Sequence, residues 1–92
     1  MAKFRVEIED LALKHIQLHK KSGDKKTINR IERILFELSE HPYVGIGQPE
    51  ALKYEMSGFW SRRINQKDRM IYVVDEKIIT VTVITAITHY FK

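Results

Sequence analysis

The chain has no cysteine among its 92 residues. Disulfides, thiolate nucleophiles and cysteine-ligated zinc are therefore excluded, and the composition suits a reducing compartment. No apolar run approaches the roughly 20 residues that a membrane-spanning helix requires. The opening MAKFRVEIED also lacks the apolar h-region of a secretory signal, so a cytoplasmic protein is expected. Proline and glycine are scarce, with 2 and 4 copies. No stretch rich in proline, glycine or serine divides the chain, and residues 1–92 are read as a single domain with one modest core. There is no internal repeat and no low-complexity segment.

Acid is the scarcer charge. Twelve Asp and Glu stand against 16 Lys and Arg, a formal net charge of +4, which favours an acidic or polyanionic partner without identifying it. With 43% hydrophobic and 30% charged residues the chain is no disordered polyelectrolyte. One basic cluster, Lys20, Lys21, Lys25 and Lys26, flanks a helix break and reads as solvated lysines on a turn. The second lies in GFWSRRINQKDRMIYVV, residues 58–74, where arginines are mixed with aromatics inside an apolar strand pattern. Charge in such a place must be solvated, paired or used on an anion.

The pattern predicts the order β-α-α-β-β-β-β, an α+β fold with a mainly antiparallel twisted sheet and both helices on one face. Phe4, Val6 and Ile8 alternate with charged residues, a strand with one buried face. From Asp10, taken as N-cap, Leu11, His15 and Leu18 form one helical stripe with Ala12, Ile16 and His19 beside it. Gly23 suits a left-handed helix end. Ile28, Ile31, Ile34, Leu35 and Leu38 mark a second helix to about Glu40, ended by His41-Pro42. Strands are expected at 51–56, 59–64, 69–74 and 78–84.

On the strand at 59–64, alternation places Trp60, Arg62 and Ile64 on the core side and Phe59, Ser61 and Arg63 on the other. Arg62 is then expected to snorkel from the apolar side near a strand end or edge. Met70, Tyr72 and Val74 form the hydrophobic set of the next strand, with Arg69 opposite them. Arg63 and Arg69 converge on a face with no helix to cover it. As surface residues they could pair with Glu50, Glu55 or Asp68. Together with Glu50, Lys53, His89 and Tyr90 they also supply a carboxylate, cations and an imidazole, which suit RNA cleavage. A base takes the 2′-hydroxyl proton, an acid returns one to the departing 5′-oxygen, and cations stabilise the phosphorane between them. No metal or cofactor is needed. His15 and His19 stand four apart, as metal ligands can, but a third ligand is not evident and the glutamate of a zincin motif is missing.

Gly45-x-Gly47-x-Pro49-Glu50, Leu52-Lys53, the run Ser57 to Ile64, Arg69 before MIYVV, and His89-Tyr90 closely resemble the Txe/YoeB branch of the RelE/ParE toxin superfamily. These elements cover about half the chain, in one order and with matching spacing. The resemblance implies a RelE-like fold and a ribosome-dependent, metal-independent mRNA endonuclease neutralised by a small cognate antitoxin. It implies Glu50 as general base, His89 as general acid and Arg69 as the main stabiliser of the phosphorane. Lys53 and Arg63 would assist on phosphate, and Tyr90 would help position the substrate. Ribosome and mRNA are the implied partners, no membrane is expected, and some relatives suggest a homodimer. The chain adds Phe91 and Lys92 after the family's terminal aromatic. Two other readings stay open: a toxin of the same fold that blocks a protein such as DNA gyrase, and a basic nucleic-acid-binding domain without catalysis. Neither needs the set Glu50, Arg69 and His89.

Overall fold

The N-terminal alternation folds as strand β1, Arg5–Ile8, and the change of period at Asp10 starts helix α1, Asp10–Ser22. The computed structural model describes residues 3–87. Asp10 is not the N-cap. Glu9, with an extended backbone at φ −70° and ψ 157°, caps without a side-chain bond, and Asp10 lies in the first turn, where its charge complements the helix dipole. The buried stripe of α1 is also rotated from expectation. Ala12, His15, Ile16 and His19 face inward while Leu11 and Leu18 are exposed, because the two histidines find buried hydrogen-bond partners and so can occupy core positions. Gly23 ends the helix at φ 78°, its N–H bonded to the Lys20 carbonyl.

Helix α2, Lys25–Glu40, starts at a full cap. The Asp24 carboxylate accepts from the Thr27 hydroxyl at 2.8 Å and the Thr27 N–H at 3.2 Å, and these bonds hold its carboxyl below the usual aspartate range. Ile31, Ile34 and Leu38 form the buried stripe of α2.

Among the described residues five strands order as β1-β5-β4-β3-β2: β2 is Glu50–Ala51, β3 Phe59–Arg63, β4 Arg69–Asp75 and β5 Thr80–Thr85. All neighbours are antiparallel except β1 and β5. That parallel pair follows from the helical crossover after β1, which a tight hairpin could not replace. The strand expected at 51–56 is much shorter. After Ala51 the Leu52 N–H bonds the Phe59 carbonyl, and Tyr54–Met56 form a single 3-10 turn. Tyr54 has φ 59°, a value that cannot continue a strand. The helices cover the sheet face bearing Met70, Tyr72, Val81 and Val83, all 0% exposed. Trp60 is only half-buried against this core, its ring 5.0 Å from that of Tyr43.

Arg62 does not snorkel. It is 0% exposed, and every N–H of its guanidinium is used. Nε donates to the Tyr72 hydroxyl, Nη1 to Glu37 Oε1 at 2.7 Å and to the Ile46 carbonyl, and Nη2 to the carbonyls of His41 and Val44. Glu37 lies on the buried side of α2, 8% exposed, so the charge is neutralised where it stands and never needs to reach solvent. Burial opposes ionisation of Glu37. The Ile46 N–H, Arg62 and Arg33 outweigh it, holding the carboxyl below its usual range. Tyr72 passes the chain on, donating to the Pro42 carbonyl at 2.7 Å.

Arg62 and Tyr72 thus tie residues 41–46 to the sheet, and Gly45 shows how closely. It sits at φ 131°, and a Cβ there would overlap the Glu37 carboxylate and lie 2.9 Å from Arg62 Nη1. Gly45→Ala is expected to destabilise by about 1 to 3 kcal/mol, the usual range for overpacking, measured by urea unfolding.

Candidate functional site

The loop held by Arg62 delivers the chain to β2. The Arg63 N–H bonds the Gly47 carbonyl at 2.6 Å, and Gly47 has φ 82°, with room for no side chain because a Cβ would lie 2.8 Å from the Arg63 carbonyl. Glu50 and Ala51 then pair with Ser61 and Trp60. In the same sheet Ser61 stands opposite Ile71, and Arg63 opposite Arg69. Opposed residues share a face, so Glu50, Arg63 and Arg69 lie on the face away from the helices. Its centre is closed, since Ser61 and Ile71 are 2% and 3% exposed. Its rim is open and charged.

Arg69 Nη1 lies 3.7 Å from Glu50 Oε1, with side chains 33% and 63% exposed. The pair contributes little to stability at such exposure. A half-exposed carboxylate beside a guanidinium, with a second arginine on the adjacent strand, is instead a place where an added anion would relieve like-charge repulsion. Lys53 is exposed at the start of the 3-10 turn, three positions after Glu50. His89 and Tyr90 lie outside the described residues, as do Phe91 and Lys92.

A concavity of about 680 Å³ opens between α2 and the end of β3. Lys26, Arg30, Arg33 and Arg63 line it, with Asp24 the one acid among the described lining residues. Arg30 Nε reaches the Arg63 carbonyl at 3.4 Å. Arg63 is thus shared between this concavity and the strand opposite Arg69. Among the described residues no group of three His, Cys, Asp or Glu could hold a metal ion, and no helix is long and apolar enough to cross a membrane.

Strand alternation brought Arg63 and Arg69 to one face, while Glu50, expected at the end of the loop, joins them through its pairing with Ser61. Sequence reasoning missed the part of Arg62 in holding the loop that presents Glu50, and the use of His15 and His19 at the end of β5. Both signals were present, as an arginine opposite Met70 on the core side of a strand and as two imidazoles on the inner side of an amphipathic helix.

Comparison with known proteins gives a consistent result. Residues 10–90 match the family model of the YoeB-like toxin of bacterial type II toxin-antitoxin systems. Toxin YoeB of Mycobacterium bovis is 42% identical over 69 residues, 75% of this chain and 79% of that protein. Toxin YoeB of Synechocystis is 40% identical over 63 residues, 68% and 73% of the two chains. Among solved structures, the YoeB/ParE toxin from Agrobacterium tumefaciens superposes with a TM-score of 0.82 at 25% identity, covering 91% of this chain and 96% of that one. YoeB from Staphylococcus aureus, described as a dimer, gives 0.78 at 29% identity over 97% and 100%, and the same toxin occurs in a heterotetrameric complex with YefM. The chain belongs to the YoeB-like toxins of bacterial type II toxin-antitoxin systems.

Proposed function

We propose that the chain is a ribosome-dependent endoribonuclease that cleaves mRNA in the decoding site and so arrests translation, until a cognate antitoxin covers its basic face. The observation that carries the proposal is the 3.7 Å contact of Glu50 with Arg69, Arg63 standing opposite on the next strand. In this reading Glu50 takes the proton from the 2′-hydroxyl, whose oxygen attacks the adjacent phosphorus. Arg69, assisted by Arg63 and Lys53, stabilises the phosphorane. His89 returns a proton to the departing 5′-oxygen, and Tyr90 helps orient the substrate. The reaction needs no metal. The chain acts in the cytoplasm, and the dimeric and antitoxin-bound states of the S. aureus protein are the assemblies proposed for it.

Primer-extension mapping of mRNA ends after brief expression tests the proposal. New ends within translated regions are expected, and their absence during growth arrest would point to a blocked protein target such as gyrase. Ribosome affinity is also expected to fall steeply with salt, because phosphate contacts release counterions. Lys26→Ala and Arg30→Ala, in the basic concavity, should each reduce the log-log salt slope by about 0.7 to 0.9 if each residue meets one phosphate. An unchanged slope would remove the concavity from the ribosome contact.

A further inference from the structure

We infer that His15 and His19 are positioning residues: they fix the Ala86 peptide from which the chain runs on to His89, and so set where the general acid enters the site. The inference rests on the nuclease reading above. The Ala86 N–H donates to His15 Nδ1 at 3.1 Å, and the Ala86 carbonyl lies 2.9 Å from His19 Nε2. Ala86 is 0% exposed and the histidines 1% and 8%. The pairing assigns both imidazoles. His15 must offer a bare Nδ1, and His19 must carry its proton on Nε2, since a carbonyl only accepts.

The position of this clamp gives it a use beyond filling the core. The β4–β5 ladder ends at Ile71 opposite Thr85, so Ala86 lies one residue past the last pair. The imidazoles take the place of a neighbouring strand for the two successive peptide units that flank the Ala86 Cα, one through its N–H and the other through its carbonyl. The register slips between Ile71 and Tyr72, whose partners are Thr85 and Val83, and the extra residue on β5 bends the strand and re-aims the residues beyond it. Because β5 runs antiparallel to β4, the chain leaving Thr85 heads towards the Arg69 end of β4. His89 comes three residues after Ala86, which can span no more than about 11 Å. A displacement of Ala86 therefore shifts the origin of that reach.

A purely structural pair of core histidines would cost stability when replaced, yet leave the folded enzyme's rate intact. Amide side chains separate the two roles. Asparagine places an acceptor oxygen where His15 has Nδ1, and glutamine a donor nitrogen where His19 has Nε2. The full chain and its variants are assayed on ribosomes programmed with a defined mRNA, with thermal unfolding alongside. His15→Leu and His19→Leu are expected to cleave at least about tenfold more slowly at saturating ribosome, with the half-saturating concentration unchanged, since misplacement of about 1 Å can cost 100-fold in rate. His15→Asn and His19→Gln are expected to stay within about threefold of the parent, as small errors of placement cost far less. If leucine unfolds the chain, the mismatched amides decide. His15→Gln and His19→Asn keep a buried amide at the wrong depth and should be slow, and mismatched amides as fast as the matched ones would overturn the inference. Folded leucine variants with the parental rate, or matched amides no faster than leucine, would overturn it too. A parent chain that leaves ribosomal mRNA whole removes the nuclease reading and this inference together. A parent that cleaves while its histidine variants are indifferent removes only the inference.

Discussion

Arg69→Ala is expected to lower mRNA cleavage on the ribosome by about 100- to 1000-fold, the usual cost of one donor aimed at a developing oxyanion, while the fold stays intact. Rate and stability have separate grounds here. The loss of rate comes from the place of Arg69 on the open face, beside Glu50 and opposite Arg63, where a phosphorane would gather its charge. The unchanged stability comes from exposure. A pair 3.7 Å apart with side chains 33% and 63% exposed is worth about 0 to 1 kcal/mol, and the β4 backbone ladder does not depend on it. Glu50→Gln should lower the rate by about 100- to 10,000-fold, because the amide keeps the shape and cannot take a proton. Cleavage assays paired with urea unfolding check both. An Arg69→Ala protein that unfolds near the parental midpoint and cleaves at the parental rate would end the proposal that these residues act on the scissile phosphate. A basic module without catalysis would show another pattern, with binding weakened in proportion to charge and no step in rate at Arg69.

Alternation carried most of what could be read in advance. Phe4, Val6 and Ile8 marked β1, and the period-two pattern of 59–64 and 69–74 placed Arg63 and Arg69 on one face, because a strand has no freedom to send neighbours to the same side. Gly23 and the His41-Pro42 helix end were equally legible, since each rests on a local backbone restriction. What failed depended on partners distant in the chain. Residues 51–56 have strand-like composition, but Tyr54 at φ 59° belongs to a turn fixed by the pairing of Leu52 with Phe59. Leu11 and Leu18 were better core candidates than His15 and His19 by hydrophobicity alone. The histidines won because the N–H and the carbonyl of Ala86 each needed a partner, a demand set about 70 residues away. Arg62 fell between the cases. Its face was correctly read, but a snorkelling exit was assumed for a charge that has its counter-ion inside. Glu37, flanked on α2 by the buried Ile34 and Leu38, was the signal for that counter-ion.

Arg62→Ala is expected to destabilise the chain by about 3 to 5 kcal/mol, the cost of leaving a buried charge without its partner. Much of a small domain's total stability would go with it. The loss has two parts that a double-mutant cycle separates. One is Glu37, which keeps the Ile46 N–H at 3.0 Å and the exposed Arg33 at 3.4 Å but loses its 2.7 Å ion pair. The other is the set of carbonyls of His41, Val44 and Ile46, which Arg62 alone ties to the sheet side by side. Replacing both charges with apolar residues often restores stability where a buried pair is all there is. Here Arg62→Met with Glu37→Leu should recover only the first part, because the carbonyls of His41 and Ile46 and the Ile46 N–H lose these partners, while Val44 keeps the His41 ring at 2.9 Å. The same network fixes a pH dependence. The Glu37 carboxyl is held below its ordinary range in the folded chain, so its contribution is present above the unfolded value of about 4.3 and is lost as pH falls through the folded one. Urea unfolding at pH 7 and pH 3 should therefore show the stability gap between the parent and Glu37→Gln narrowing in acid. A gap that widens in acid would mean that Glu37 is neutral in the fold, and would remove the ion pair as the anchor of the loop that presents Glu50.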